Sequence, residues 1–261
     1  MSSAVYDVVE HVIPAAHIRE YPRATAERQD DELRLHVRQY VPRDNPRPRR
    51  GDVTIVAAHA NGFPKELYEP LWDELHREAQ RQGFRIRAVW IADAAWQGRS
   101  GLLNDGKLGD DPSWLDYARD IVHLVNTFRP PRPLVGVGHS FGANALTNAA
   151  LLHPRLFAAL VLLDPVIGYF DSSPAYLAAS PASLSVRRRD RWPSRRVAAD
   201  AFHRSAYYRA WDPRVLDLWV RHGLRPVHGS GSGSDSAPSS DPSSSSTGGN
   251  LHLHAPQLAR L

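Results

Sequence analysis

LVGVGHSFGANAL, residues 134–146, is the stretch whose reading decides the fold. Leu134 to Val137 are apolar and strand-like, Gly138-His139-Ser140-Phe141-Gly142 has the spacing G-x-S-x-G, and a helix-forming run starts at Ala143. A strand, a tight turn and a helix in that order are the context this motif requires. On such a turn Ser140 takes strained backbone angles that lift its hydroxyl clear of the sheet. Gly138 and Gly142 are then expected because a Cβ at either position would clash where strand and helix close on each other. The helix points its first N–H groups and the positive end of its dipole at an oxygen that gains negative charge during attack. Ser140 is the expected nucleophile, with the N–H of Phe141 as one oxyanion donor.

On either side of this stretch the pattern alternates between strand and helix. Residues 8–18 and 33–42 carry β-branched, alternating character and read as an opening antiparallel pair. Residues 53–59 (VTIVAAH) are continuously apolar, as in a strand buried on both faces. The segment 66–82 reads as an amphipathic helix closed by Gly83. Residues 84–93 give the next strand, and 94–112 read as a long loop. Ser113 caps a helix over 114–128, and 158–164 (AALVLLD) form the strand after the serine turn. The pattern predicts an α/β chain with a mainly parallel sheet of about six strands covered by helices on both faces, and with the serine turn on its fifth strand it resembles the α/β-hydrolase arrangement.

Residues 167–226 change to helical pieces rich in arginine and aromatics, with Ser194 capping a helix over 195–208. They are expected to form a helical lid over the nucleophile, with Trp192, Phe202, Tyr207, Tyr208, Trp211 and Trp219 as its core. The low-complexity stretch 227–250 reads as a disordered linker and 251–261 as a short tail. In that tail, 251–254 could make one short strand.

The chain has 261 residues, 42% of them hydrophobic, and a net charge of +4. No stretch approaches the roughly 20 apolar residues of a membrane span, and the first ten residues look unlike a signal peptide. Cysteine is absent, which removes a thiol nucleophile, disulfides and thiolate metal sites and fits an intracellular protein. No metal or cofactor is called for. No basic stripe interleaved with aromatics suggests nucleic acid. The positive charge is nearly all arginine, since Lys65 and Lys107 are the only lysines.

A serine nucleophile needs an imidazole within reach and a carboxylate to hold that imidazole, in the chain order serine, acid, histidine. Asp164 ends the strand after the serine turn and is the candidate acid, with a structural capping role as the other reading. His222, near the end of the lid stretch, and His228, His252 and His254, beyond it, are the histidines on the right side of the lid. His254, or His252, could act as base by docking back, whereas His139 is too close to Ser140 in the chain. After the strand 53–59, Asn61-Gly62-Phe63-Pro64 resembles the H-G-F-P loop of epoxide hydrolases, which makes the N–H of Phe63 the second expected oxyanion donor. His59 is expected to hold this loop by hydrogen bonding.

Residues 57–75, 92–120, the GHSFGAN turn, 160–167 and the block running from Arg187 to Pro226 together resemble fungal α/β-hydrolases similar to the yeast peroxisomal lipase and the hydrolases of host-selective toxin biosynthesis. The resemblance implies a serine hydrolase acting on ester or acyl substrates, lipid-like or secondary-metabolite in kind. It also implies further strands and a histidine beyond Pro226, so the chain reads as truncated there, with loss of activity as one outcome. The alternative is a non-catalytic protein of the same fold that binds a small hydrophobic ligand. Dehalogenase and nucleophilic epoxide-hydrolase chemistry are disfavoured, because Ser140 stands where those need an aspartate. Ala259-Arg260-Leu261 fits a peroxisomal import tripeptide and its receptor, so peroxisome and cytoplasm are the expected locations.

Overall fold

The computed structural model describes residues 4–168, 173, 189–226 and 251–253. They fall into two compact units, Met1–Arg188 with Ala255–Leu261 and Arg189–His254.

In the first unit the strands are β1 (Tyr6–Pro14), β2 (Arg34–Pro42), β3 (Val53–Ala58), β4 (Ile86–Ala92), β5 (Leu134–His139) and β6 (Ala159–Leu163). They form one sheet in the order β1-β2-β4-β3-β5-β6. β1, β2 and β4 pair antiparallel, and β4, β3, β5 and β6 run parallel. The helices are α1 (Glu69–Gln82), α2 (Gly98–Leu103), α3 (Trp114–Phe128) and α4 (Phe141–Leu152), with a 3-10 turn at Lys65–Tyr68 ahead of α1.

Local chemistry sets most of these boundaries. Gly83 ends α1 at φ 77°, a left-handed position that costs glycine nothing. Ser113 and Asp116 close a full capping box on α3. The same Asp116 takes the N–H of Glu20, and Asp120 takes the N–H of Ala16 and both arms of the Arg19 guanidinium, which ties the β1–β2 connection to α3. The core sits between β2–β5 and the helices α3 and α4, where Val37, Val56, Trp90, Tyr117, Ile121, Leu134, Phe141 and Leu146 pack together.

α2 lies in the stretch expected to be loop. Its sequence GRSGLL has two glycines and no apolar stripe, so tertiary contacts place it. Ser100 Oγ accepts the His36 N–H at 2.8 Å and donates to the Asp93 carbonyl at 3.1 Å. The Asn104 carboxamide bonds both the N–H and the C=O of Arg34.

Among the described residues β6 is bonded on one side only, to β5. Val161 and Leu163 on it are 46% and 39% exposed, and Leu151 and Leu152 at the end of α4 are 73% and 56% exposed.

The second unit contains β7 (Arg191–Trp192), α5 (Arg195–Arg204), α6 (Ala206–Arg209), α7 (Pro213–His222), β8 (Leu224–Pro226) and β9 (Leu251–Leu253). Ser194 caps α5 as expected, but the helix stops at Arg204 and restarts after Ser205. Trp192, Phe202, Tyr208 and Trp219 are buried against one another, with Phe202 and Tyr208 ring centres 4.7 Å apart, while Tyr207 is exposed. The strand expected in the tail forms at 251–253 and lies between β7 and β8 in a small antiparallel sheet.

Candidate active site

The serine turn stands at the carboxyl edge of the parallel strands. Ser140 has φ 51° and ψ −111°, a left-handed conformation that is strained for a non-glycine residue. Three things hold it there. Its N–H is taken by Leu163 O of β6 at 2.9 Å, and its carbonyl accepts the N–H groups of Ala143 and Asn144. Gly138 closes on the backbone of Ala143, where a Cβ would come within 2.6 Å of its Cα. Gly142 closes on the end of β3, where a Cβ would lie 2.3 Å from Ala58 O and 2.6 Å from His59 O. α4 begins at Phe141, two residues earlier than the sequence suggests, so the Phe141 N–H is one of the groups that a helix start leaves without an intrahelical partner. The Phe141 ring is buried, stacked on Tyr117 at 5.1 Å and edge-on to Trp114 at 5.0 Å.

His139 is half-buried. Tyr68 Oη accepts the Ala60 N–H at 2.8 Å and is hydrogen-bonded to His139 Nδ1 at 2.9 Å. Burial pushes the His139 imidazole below its usual pKa, against the opposing pull of the Asp164 carboxylate. Asp164 follows Leu163, which pairs with His139 in the β5–β6 register, so it stands level with Ser140 on the neighbouring strand. It is exposed and has φ 44°.

The β3–α1 loop is gripped from several sides. His59 is fully buried. Its Nδ1–H donates to Ala60 O at 2.8 Å and its Nε2 accepts the Ala94 N–H at 3.0 Å, which fixes one neutral tautomer. Burial lowers its pKa accordingly. The Phe63 N–H, expected to face the reacting oxygen, donates instead to Ala60 O at 3.0 Å and closes a turn. Gln97 Oε1 accepts the Gly62 N–H at 2.7 Å while its Nε2 donates to Asn61 Oδ1. Lys65 is fully buried, with Nζ 2.6 Å from Asp93 Oδ2 and 3.0 Å from Glu66 Oε1. Neither Gln97 nor the Lys65–Asp93 pair carries a signal that sequence spacing could reveal.

His254 and Ala259-Arg260-Leu261 lie outside the described residues, as do His228 and the 227–250 stretch. His252 is in β9 and His222 ends α7, both in the second unit. No group of three or more histidine, aspartate or glutamate side chains suited to a metal ion occurs among the described residues.

A sheet in this order, with a strained serine at the end of β5 and a helix starting beneath it, defines an α/β-hydrolase fold. The model of the alpha/beta hydrolase family matches residues 55–244, and the chain belongs to that family. It is 48% identical over 232 residues to the type I acyl-CoA thioesterase mpaH' of Penicillium brevicompactum, covering 87% of this chain and 52% of the relative. It is 41% identical over 93 residues to the abhydrolase domain-containing protein AFT2-1 of Alternaria alternata, covering 36% of this chain and 34% of that one. Among solved structures, the peroxisomal alpha-beta-hydrolase Lpx1 of Saccharomyces cerevisiae superposes with a TM-score of 0.75 at 19% identity, covering 98% of this chain and 67% of Lpx1, a likeness of fold. The chain spans about half the length of mpaH'. No described helix is long and apolar enough to cross a membrane.

Proposed function

We propose that this chain carries the serine nucleophile of an acyl hydrolase, with thioesters of the acyl-CoA kind as the first substrate class to test. The observation that carries the reading is the backbone of Ser140, held left-handed at the open end of β5 by contacts that exclude any side chain at Gly138 and Gly142. The 48% identity to a relative named an acyl-CoA thioesterase supports the substrate class.

In this reaction Ser140 Oγ attacks the acyl carbonyl carbon and gives its proton to a base. The carbonyl oxygen becomes an oxyanion facing the Phe141 N–H and the start of α4. The tetrahedral intermediate collapses as the base protonates the departing thiolate or alkoxide. Water, deprotonated by the same base, then releases the acid and restores the serine. Asp164 is the proposed partner of the base, and His254 or His252 the proposed base.

Labelling of the full chain with a fluorophosphonate probe tests the nucleophile. An adduct that disappears in Ser140→Ala supports the reading. No adduct overturns it in favour of a ligand-binding protein that keeps the fold. Substrate class follows from thiol release on acyl-CoA, which a thiol reagent reads without background because the chain has no cysteine. Hydrolysis of simple oxygen esters without thiol release would assign an esterase.

Ala259-Arg260-Leu261 is proposed as a peroxisomal import signal. A fluorescent protein fused ahead of the chain should collect in peroxisomes and lose that location when Leu261 is deleted; a diffuse signal with Leu261 intact would overturn it.

A further inference from the structure

We propose that Asn61-Gly62 is a site of spontaneous covalent modification, deamidation through a succinimide, and that the Gln97 carboxamide keeps it shut while the chain is folded.

Asn61-Gly62 is the only asparagine–glycine pair in the sequence. The reaction favours that pair. The Gly62 nitrogen, after losing its proton to hydroxide, attacks Cγ of Asn61. The N–Cγ bond forms, the bond from Cγ to Nδ2 breaks, and ammonia leaves from a closed five-membered ring. Water then adds to either ring carbonyl and opens it to aspartate or to isoaspartate, whose main chain runs through the former side chain. The protein gains one water, loses one ammonia and acquires one negative charge. Glycine has no Cβ to screen its nitrogen, whereas the other asparagines precede Pro46, Asp105, Thr127, Ala145, Ala149 and Leu251.

One side chain holds both reacting groups. A backbone N–H can only donate, so the 2.7 Å contact from the Gly62 N–H identifies the facing Gln97 atom as Oε1. Nε2 of the same carboxamide then donates to Asn61 Oδ1. Ring closure strips the proton from the first bond and turns the Asn61 carboxamide out of the second. Gly62 is also buried, so the amide anion that precedes attack would form away from the water that stabilises charge.

The clamp is itself anchored. Gln97 is only 2% exposed and stands just before α2, with its backbone N–H on Ala94 O and its carbonyl accepting from Gly101. On the other side of Asn61, Ala60 O takes the His59 Nδ1–H and the Phe63 N–H. The loop also touches the serine turn, since a Cβ on Gly142 would come within 2.6 Å of His59 O. Release of the clamp therefore changes charge and main-chain length in a loop that packs on that turn.

The test is incubation of the full chain in warm, mildly alkaline buffer, followed by peptide mass spectrometry at Asn61. Aspartate and isoaspartate should both accumulate there, slowly in the folded chain and at least about tenfold faster in urea, where the two hydrogen bonds are gone. Folded Gln97→Met, which keeps the side-chain length without either bond, should gain at least about tenfold over the unaltered folded chain. Asn126, exposed near the end of α3, should change by less than about twofold in that variant. Should Gln97→Met fail to fold, Gln97→Glu decides. It retains an acceptor for Gly62 but no donor for Asn61, so the rate should rise about threefold or more. A folded chain that reacts as fast as the unfolded one, a Gln97 variant at the unaltered rate, or equal acceleration at Asn126 overturns the proposal. Aspartate without isoaspartate would overturn the succinimide route.

Discussion

The missing Cβ of Gly142 would stand 2.3 Å from the carbonyl oxygen of Ala58, and the obstruction is main chain on both sides. Where a flexible side chain can yield, overpacking costs about 1–3 kcal/mol. Here the helix start and the end of β3 would have to separate. Gly142→Ala should lose about 3 kcal/mol or more of unfolding free energy, read from urea denaturation. A loss below about 1 kcal/mol would show that the two elements are not held in contact.

Ser140 should cost stability because its φ of 51° belongs to glycine's range. Ser140→Gly is expected to raise the unfolding free energy by about 1 kcal/mol, while Ser140→Ala stays at or below the original value. Equal midpoints for the two variants would mean that the strain is absent in solution. Neither variant should take the fluorophosphonate label.

His36 sets a pH dependence. Burial, reinforced by the nearby Lys65 charge, pushes its pKa from 6.5 down to about 4. The unfolded chain therefore binds a proton that the folded chain refuses. The stability associated with neutral His36 is complete above pH 6.5 and is lost as pH falls from 6.5 to about 4, by an amount on the order of 2 kcal/mol. Denaturation midpoints at pH 7.5, 6 and 5 should fall less steeply for His36→Gln than for the unaltered chain. Identical slopes would exclude His36 as a contributor.

Arg19 and Asp120 form a two-pronged ion pair whose side chains are 6% and 0% exposed. Removing the cation alone leaves a buried carboxylate whose remaining contacts include the Ala16 N–H. Arg19→Ala should therefore cost about 3–5 kcal/mol. Arg19→Met combined with Asp120→Leu should recover most of that. A double variant as unstable as Arg19→Ala would count against this account.

The strand at Leu251–Leu253 is the central strand of its sheet, with β7 on one side and β8 on the other. Ending the chain at residue 250 should abolish hydrogen-exchange protection at those amides of β7 and β8 that pair with β9 while leaving β3 and β5 protected. Unchanged protection in β7 and β8 would mean that the strand does not form in solution.

Most of the first unit was legible because its signals are local. Apolar runs gave the strands, Gly83 and Ser113 marked helix ends, and the spacing of Gly138, Ser140 and Gly142 required the tight turn seen at the end of β5. What the sequence hid depends on contacts between distant segments. α2 exists because Ser100 and Asn104 bond to β2, and nothing in GRSGLL announces it. The likeness of Asn61-Gly62-Phe63-Pro64 to a known loop pointed to Phe63, whereas the folded loop spends the Phe63 N–H on Ala60. Gln97 lies 36 residues from Asn61 along the chain, and only folding brings the two together.

The one-sided bonding of β6 has a practical bearing on every measurement above. Among the described residues its outer side pairs with no strand, and Val161, Leu163, Leu151 and Leu152 put greasy surface beside it. This rim is therefore expected to promote self-association of the purified chain. Light scattering should rise with protein concentration and fall when a lysine replaces Val161, which makes dilute samples the proper setting for labelling kinetics and denaturation alike.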